Sequence, residues 1–320
     1  MMNLILTKNW SRNNRMIKIV FFGTPKIAVK SLEYLNNSKD FEVAAVVTQP
    51  DKPAGRGKKL SMSPVKEFAL SHNIPLFQPK SIRKEPEILE ELKKLKPDFF
   101  VTFAFGQILS QEVLDIPKYH TINLHASLLP KYRGANPIQR AIINGDKETG
   151  ICTMITELGL DCGDVCLKKV ISISDSMNCE ELFGQISDLS PELLAKTLKG
   201  LVDGSIKPIP QCKEGICMAN KLTKEETLID WSNPAEKIHN LVRGIYKSPC
   251  AYFIYDDKII KVLETKVEKG MSAKPGELIK AVKEGVQFGC GKDCITLLRV
   301  KPEGKGEMPA RDWYNGIKNR

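Results

Sequence analysis

The feature that most constrains the fold of this chain is a series of short apolar runs in its first two-thirds, separated by helix-like segments. The predicted strands cover residues 17–22, 43–47, 99–103 and 121–125, and the predicted helices cover residues 26–36, 64–72, 86–95 and 139–143. The first two strands are apolar throughout, as in parallel strands that helices cover on both faces. The pattern therefore predicts a doubly wound, mostly parallel α/β sheet of the Rossmann-like kind.

The last third of the chain has a different pattern. A long helix is predicted at residues 179–201, and the glycine and prolines of residues 204–210 then indicate a linker. A helix at 235–243 and strands at 251–255, 259–264, 277–281, 285–288 and 295–300 follow. Short strands separated by glycine turns are typical of a small barrel or sandwich.

A chain of 320 residues is long enough for two domains, which we place at residues 16–205 and 223–314, with a linker at 206–222. Residues 1–15 are expected to be a disordered tail or the result of a start-site artefact, because Met16 leads directly into the first predicted strand.

Three polar residues suggest acyl-transfer chemistry. Asn123 and His125 end the fourth predicted strand, where doubly wound sheets bind ligands, and alternate strand residues share a face. The Asn123 amide can donate to a developing oxyanion, and His125 can take or give a proton near neutral pH. Asp161, on a glycine-rich turn after the apolar run 151–155, could orient the imidazole. Because no Ser, Cys or Lys of this cluster has the setting of an activated nucleophile, direct transfer between two bound substrates is favoured.

These residues also carry a family resemblance. Asn-x-His at 123–125, Ser-Leu-Leu-Pro at 127–130 and Leu-Asp-x-Gly at 160–163 resemble the folate-dependent formyltransferase family. Within it, TQPDKPAGRGKKL (48–60), GANPIQR (134–140), NKLTKEE (220–226) and Ile-Asp-Trp (229–231) resemble the methionyl-tRNA formyltransferases, and the likeness extends from about residue 16 to about residue 313. The resemblance implies transfer of a formyl group from 10-formyltetrahydrofolate to the amino group of methionyl-initiator tRNA, for translation initiation. It also implies that the second domain is an OB-like, tRNA-binding barrel.

The resemblance assigns binding residues as well. Those expected to line the folate pocket are Ser127, Leu128, Leu129 and Pro130. Phe105 and Gly106 are added from their position after the preceding predicted strand, where they could present backbone groups and an aromatic wall. The tRNA is expected to meet a basic loop that contains Lys52, Arg56, Lys58 and Lys59. Two readings stay open for Lys131, Arg133 and Arg140, which either flank the acceptor stem or form solvated surface. Arg56 is the strongest candidate in the loop, because a guanidinium contacts phosphates and also stacks on a base. One departure is Gly-Ile-Tyr-Lys-Ser-Pro at 244–249, where the family often has Asn-Pro-Trp-Pro.

Charge and cysteine content limit the partners. A formal net charge of +10 favours a polyanionic partner, which agrees with tRNA. The nine cysteines form no Cys-x-x-Cys pair and only four histidines are present, so neither a zinc site nor a disulfide framework is supported. Reduced thiols and the absence of an apolar stretch of membrane-spanning length indicate a cytoplasmic protein. A monomer without a metal fits the family.

Four alternatives remain open at this stage. Two share the chemistry: formyl transfer to a purine-synthesis glycinamide and to a nucleotide-linked sugar amine, both disfavoured by the basic loop and the basic barrel. The third is a non-catalytic tRNA-binding protein on a retired enzyme fold. The fourth is a nicotinamide dehydrogenase, which is disfavoured because the first turn, Phe22-Gly23-Thr24-Pro25, lacks the second and third glycines of a dinucleotide-binding fingerprint.

Overall fold

The computed structural model describes residues 15–54 and 59–318. The chain divides into two compact units. The first contains the residues up to Pro130 together with Gly150–Lys169 and Gln185–Ile216. The second contains Lys131–Thr149, Val170–Gly184 and the residues from Cys217 onward.

The strands and helices are numbered in chain order. The strands are β1 (Ile17–Gly23), β2 (Phe41–Val47), β3 (Lys52–Ala54), β4 (Lys59–Ser61), β5 (Leu76–Phe77), β6 (Phe99–Phe103), β7 (His120–His125), β8 (Arg133–Gly134), β9 (Glu148–Ile155), β10 (Val165–Ser172), β11 (Met218–Ala219), β12 (Ala251–Tyr255), β13 (Lys258–Glu268), β14 (Leu278–Ala281), β15 (Val286–Gly289), β16 (Cys294–Pro302) and β17 (Met308–Pro309). The α-helices are α1 (Val29–Asn37), α2 (Pro64–Ser71), α3 (Pro86–Lys94), α4 (Gln111–Leu114), α5 (Pro137–Ile143), α6 (Cys179–Asp203), α7 (Ala235–Gly244) and α8 (Ala310–Lys318), and short 3-10 turns lie at Lys26–Ala28, Ile82–Lys84 and Glu225–Thr227.

The first unit is built on a seven-stranded sheet with the order β10-β9-β7-β6-β1-β2-β5. Strand β1 pairs in parallel with β2 and β6, and β6 pairs in parallel with β7. Strand β9 joins β7 in the antiparallel direction. The predicted doubly wound, mostly parallel α/β fold is therefore confirmed.

Burial explains why the first strand shows no alternation. Phe21 and Phe22 point to opposite faces of the sheet, and both have no exposed surface. The Phe22 ring packs against Phe100 of β6, with 4.9 Å between ring centroids. Both faces of the central strands are thus covered, as expected of parallel strands between helices.

The second unit contains an antiparallel sheet with the order β12-β13-β16-β15-β14, and β17 pairs with β16. Its core contains the buried rings of Phe253, Phe288 and Trp313 and the partly buried Trp231. Trp231 stacks on Phe288 with a centroid distance of 4.9 Å. This confirms the predicted second domain of short β-strands.

Three strands of the sheet were not predicted: the two-residue strand β5, strand β9 and strand β10. Strand β9 contains the apolar run 151–155, and β10 carries exposed Lys168, Lys169 and Val170 in its middle. Strand β10 ends the sheet order, so one of its edges has no neighbouring strand in the sheet. Charged residues are common on such edges because they discourage pairing with another chain, and they hide the apolar pattern of the strand.

In the part of the chain that the structure describes, no helix has both the length and the apolar character that crossing a membrane requires.

Candidate active site

Asn123 lies near the carboxyl end of β7, directly opposite Thr102 of β6 in the parallel pairing. The Thr102 hydroxyl donates a hydrogen bond of 2.8 Å to the Asn123 Oδ1 atom. Because the carbonyl end of the amide accepts this bond, the Nδ2 end is the one that can donate to a ligand. Thr102 thereby fixes the orientation that an oxyanion donor requires, a role that the sequence pattern did not predict.

His125 and Asp161 lie next to each other, as the sequence predicted. The Nδ1 atom of His125 is 3.6 Å from the Oδ2 atom of Asp161, and the two side chains are 6% and 16% exposed. This distance exceeds an ordinary hydrogen bond and suits an ion pair when the imidazole is protonated. Since Asn123 precedes His125 by two positions on one strand, its side chain leaves the sheet on the same face as the imidazole.

Asp161 belongs to a tight turn at residues 160–164, which we name the Asp161 turn. Asp161 has a φ of +47°, in the left-handed region that a residue with a side chain rarely adopts. Gly163 lies so close to the end of β9 that a Cβ atom there would come within 2.1 Å of the Ile155 carbonyl oxygen. Only glycine fits at this position, which explains the Leu-Asp-x-Gly pattern physically.

The sequence analysis also did not identify Gln211. Its Nε2 atom donates to the carbonyl oxygens of Asp161, at 2.9 Å, and Gly163, at 2.8 Å. Fifty positions separate Gln211 from Asp161 in the chain, so the sequence alone does not show that the two residues are in contact.

The residues expected to hold folate follow β6 and β7. Ser127 and Leu129 have no exposed surface, while Leu128 and Pro130 are partly exposed. The Leu129 side chain packs with Cys152, Met154 and Val165, and the Lys168 ammonium donates to its carbonyl oxygen. Leu129 thus turns its side chain inward, so a ligand would meet the backbone of this segment and its partly exposed neighbours.

The loop after β6 is fixed by side chains from two neighbouring strand ends. The Phe105 carbonyl oxygen accepts hydrogen bonds from Thr24 Oγ1, at 3.1 Å, and from Gln49 Nε2, at 2.8 Å. The Phe105 ring is buried against Phe22, at a centroid distance of 5.4 Å, and therefore belongs to the core. Gly106 has a φ of +81° and is exposed, so its backbone is the accessible part of this loop.

The basic loop is anchored at its base. The Lys66 ammonium lies 2.8 Å from Asp51 Oδ2, and these side chains are 14% and 26% exposed. The hydrogen bond from Lys66 is the main cause that lowers the pKa of Asp51, and a second bond from Gln78 adds to it. Lys52 is exposed on β3 and its ammonium donates to Gln49 Oε1.

Arg56 and Lys58, two of the residues predicted to contact tRNA, lie outside the described residues, as does the Lys59 side chain. The other three basic residues of that prediction belong to the second unit and have different surroundings. Lys131 is exposed, and Arg133 is half-buried and pairs through β8 with β11.

Arg140 holds Glu226 with two hydrogen bonds, at 2.5 and 3.0 Å. Its remaining guanidinium contacts are the carbonyl oxygens of Asn220 and Lys221. Arg140 therefore ties the Asn-Lys-Leu-Thr segment to α5 within this unit.

Within residues 15–54 and 59–318, no group of three or more His, Cys, Asp or Glu side chains could hold a metal ion.

Comparison with known proteins places the chain in a family. Residues 17–198 match the formyl transferase family, and residues 221–318 match the formyl transferase C-terminal domain. The chain therefore belongs to the formyl transferase family. Over 301 residues it is 50% identical to the methionyl-tRNA formyltransferase of Clostridium perfringens, which covers 94% of this chain and 97% of that relative.

Solved structures show the same fold at lower identity. The methionyl-tRNA formyltransferase from Clostridium thermocellum superposes with a TM-score of 0.57, at 17% identity over 80% of this chain and 96% of that chain. HypX from Aquifex aeolicus in complex with tetrahydrofolic acid gives a TM-score of 0.64, at 17% identity over 94% of this chain and 47% of that chain. This chain spans about half the length of HypX.

Proposed function

We propose that this protein transfers the formyl group of 10-formyltetrahydrofolate to the free amino group of methionyl-initiator tRNA. The observation that carries the proposal is the 50% identity to a methionyl-tRNA formyltransferase along 94% of the chain. The meeting of His125 and Asp161 beside Asn123 at the end of β7 supports it independently. The product would be the formylated initiator tRNA that begins translation.

In the proposed reaction the methionyl nitrogen attacks the formyl carbon, and the carbonyl oxygen gains negative charge in a tetrahedral intermediate. The Nδ2 atom of Asn123 donates to this oxygen. His125 takes a proton from the attacking nitrogen as the new C–N bond forms, and gives one to the departing folate nitrogen as the intermediate collapses and the old C–N bond breaks. The Asp161 carboxylate orients the imidazole and stabilises its protonated form.

The substrate contacts are part of the same proposal. Folate is bound by the segment 127–130 and by the loop at Phe105 and Gly106, and it serves as formyl donor without a metal. The tRNA meets Lys52, Arg56, Lys58 and Lys59 of the basic loop and, in the second unit, Lys131 and Arg133. Phosphate contacts of this kind make tRNA binding weaken steeply as salt increases. The boundaries proposed for the catalytic domain, the linker and the tRNA-binding domain are 16–205, 206–222 and 223–314, in a cytoplasmic monomer.

The test is formyl transfer by the purified protein, with 10-formyltetrahydrofolate and one of four acceptors: initiator methionyl-tRNA, elongator methionyl-tRNA, glycinamide ribonucleotide or a nucleotide-linked amino sugar. We expect initiator methionyl-tRNA to be formylated at the highest kcat/KM. The proposal is wrong if the protein is inactive on this tRNA at saturating folate, or if a small amine is the better acceptor. Tetrahydrofolate binding without any transfer would instead favour the non-catalytic alternative.

A further inference from the structure

The Asp161 turn is held on both of its sides by backbone contacts. On one side, the Ile155 amide at the end of β9 donates a hydrogen bond of 2.9 Å to the Asp164 carbonyl oxygen, and Gly163 fits closely against the same strand end. On the other side, Val165 and Ile209 exchange two backbone hydrogen bonds of 2.9 Å each. The segment that follows α6 therefore runs beside the turn and brings residue 211 to it.

Gln211 connects this segment to the turn itself. Its side-chain amide has two hydrogens, and its Nε2 atom lies 2.9 Å from the Asp161 carbonyl oxygen and 2.8 Å from that of Gly163. The two acceptors lie on either side of Cys162, so one amide group fixes the direction of both peptide groups. The left-handed backbone of Asp161, with a φ of +47°, is unfavourable for a residue with a side chain and needs such support.

We propose that Gln211 is a positioning residue for formyl transfer, which acts by holding the backbone of Asp161 so that its carboxylate stays beside His125. This inference rests on the proposed function. The separation of 3.6 Å between His125 Nδ1 and Asp161 Oδ2 already exceeds a hydrogen bond, so a small outward shift of the turn would separate the pair. A misplacement of about 1 Å in a catalytic group can lower a rate by about 100-fold.

Two substitutions test the contact. Gln211→Ala removes the donor, and Gln211→Glu keeps the shape but replaces the amide by a carboxylate, which accepts hydrogen bonds and cannot donate to the two carbonyls at neutral pH. We expect kcat to fall about 10- to 100-fold in both variants, because the backbone of the turn loses the two hydrogen bonds from Gln211. The KM values for folate and tRNA should stay within about threefold, since neither substrate touches Gln211 in this scheme.

The matched control is Gln185→Glu, which adds the same charge at an exposed glutamine of α6 and should leave kcat and both KM values unchanged. Circular dichroism and thermal unfolding confirm that each variant is folded at the assay temperature. A residue with a merely structural role would lower the unfolding temperature and leave kcat per folded molecule intact, which would overturn the inference.

A double-mutant cycle decides whether Gln211 acts through Asp161. In an Asp161→Ala background, measured by single-turnover formylation, adding Gln211→Ala should change the rate by less than about twofold, because the positioned carboxylate is already absent. A full further loss of about 10- to 100-fold would show that Gln211 acts by another route and would contradict the inference. Wild-type protein that does not formylate initiator methionyl-tRNA contradicts the proposed function instead, so the two failures are distinguishable.

Discussion

Each of the two units contains a histidine and an asparagine close together in the chain, but the two pairs have different partners. In the first unit, Asn123 and His125 lie on β7, where a threonine hydroxyl and the Asp161 carboxylate are among their neighbours. In the second unit, His239 and Asn240 lie on α7. The His239 Nδ1 atom is 2.8 Å from Thr265 Oγ1, and its Nε2 atom is 3.0 Å from the Asp175 carbonyl oxygen.

The two pairs differ in the chemistry of the groups that surround their polar atoms. Both nitrogens of His239 lie within hydrogen-bonding distance of neutral groups on other segments, so this residue connects α7 to its neighbours. The Asn240 Oδ1 atom accepts a hydrogen bond of 2.9 Å from the Arg243 Nε atom within α7 itself. His125 instead lies beside the Asp161 carboxylate, at the strand end where α/β sheets bind ligands. Residue type and burial are therefore poor guides to function, and the chemistry of the partners is a better one.

The strongest way to test this contrast is to remove each asparagine in turn. Asn123→Ala should lower kcat by about 100- to 1000-fold, because it removes the proposed oxyanion donor. Asn240→Ala should leave kcat per folded molecule unchanged and lower the free energy of unfolding by about 1–3 kcal/mol, because the buried Arg243 Nε atom loses its acceptor. Single-turnover formylation and urea unfolding measure the two quantities. A comparable loss of kcat in Asn240→Ala would remove the distinction.

The second prediction concerns Arg243, which is 5% exposed. Its Nη1 atom donates to the carbonyl oxygens of Ser174 and Met177, and no ion pair to it occurs among the described residues. Burial lowers its pKa, and the negative charges of Asp175 and Glu236 act in the opposite direction. Arg243→Met should therefore reduce the free energy of unfolding by about 2–3 kcal/mol, because several buried acceptors lose a charged donor.

Urea unfolding at neutral pH measures this effect. Arg311→Met, at an exposed arginine of α8, is the control and should stay within about 0.5 kcal/mol of wild type. Equal stabilities of Arg243→Met and the control would show that the buried guanidinium does not stabilise the second unit.

The sequence predicted those features that depend on local patterns. The apolar runs around Phe22 and Phe100 specified the central strands, and alternation on β7 placed Asn123 and His125 on one face. The glycine-rich turn after the apolar run 151–155 indicated Asp161, which the structure brings beside His125.

Features that depend on contacts between distant segments could not be predicted in this way. Gln211 reaches Asp161 across fifty positions, and no local pattern encodes that contact. The inward direction of the Leu129 side chain depends on Cys152, Met154 and Val165, which come from other strands or their ends. Strand β10 was missed because its lysines are suited to an edge strand, and only the assembled sheet shows that it is one.

A third, smaller effect separates two basic residues that the sequence analysis grouped together. Lys131 is exposed, whereas Arg140 is held by Glu226, with side-chain exposures of 17% and 39%. Bonding to Arg140 is also the main cause that lowers the pKa of Glu226. A double-mutant cycle of Arg140→Gln with Glu226→Gln should give a coupling free energy of unfolding of about 1 kcal/mol, as expected of a half-exposed pair with two bonds.

Lys131→Gln should instead leave stability unchanged, weaken tRNA binding and reduce the dependence of log Kd on log salt concentration by about one unit. If Arg140→Gln reduces the salt dependence and Lys131→Gln does not, then Arg140 contacts the tRNA phosphates and Lys131 does not.

The smallest expected effect is the contribution of His239 to the pH dependence of the free energy of unfolding. Burial lowers the pKa of His239 from its ordinary value, and the nearby positive charge of Arg243 acts in the same direction. The folded protein therefore binds a proton at this imidazole less readily than the unfolded chain, which takes one up as the pH falls below about 6.5. Because the unfolded state then holds more protons, His239 should lower the free energy of unfolding as the pH falls from 7.5 to 5.5, and should have no such effect above that range.

The comparison of variants isolates this contribution from the other titrating groups. Urea midpoints of the wild type, of His239→Asn and of His72→Gln, which removes an exposed imidazole on the surface, are measured at both pH values. The decline between pH 7.5 and pH 5.5 should be smaller in His239→Asn than in the other two proteins. An equal decline in all three would mean that His239 takes up its proton as readily in the folded protein as in the unfolded chain. Burial of the ring would then not favour its neutral form, and the contrast with His125 would rest on position in the fold alone.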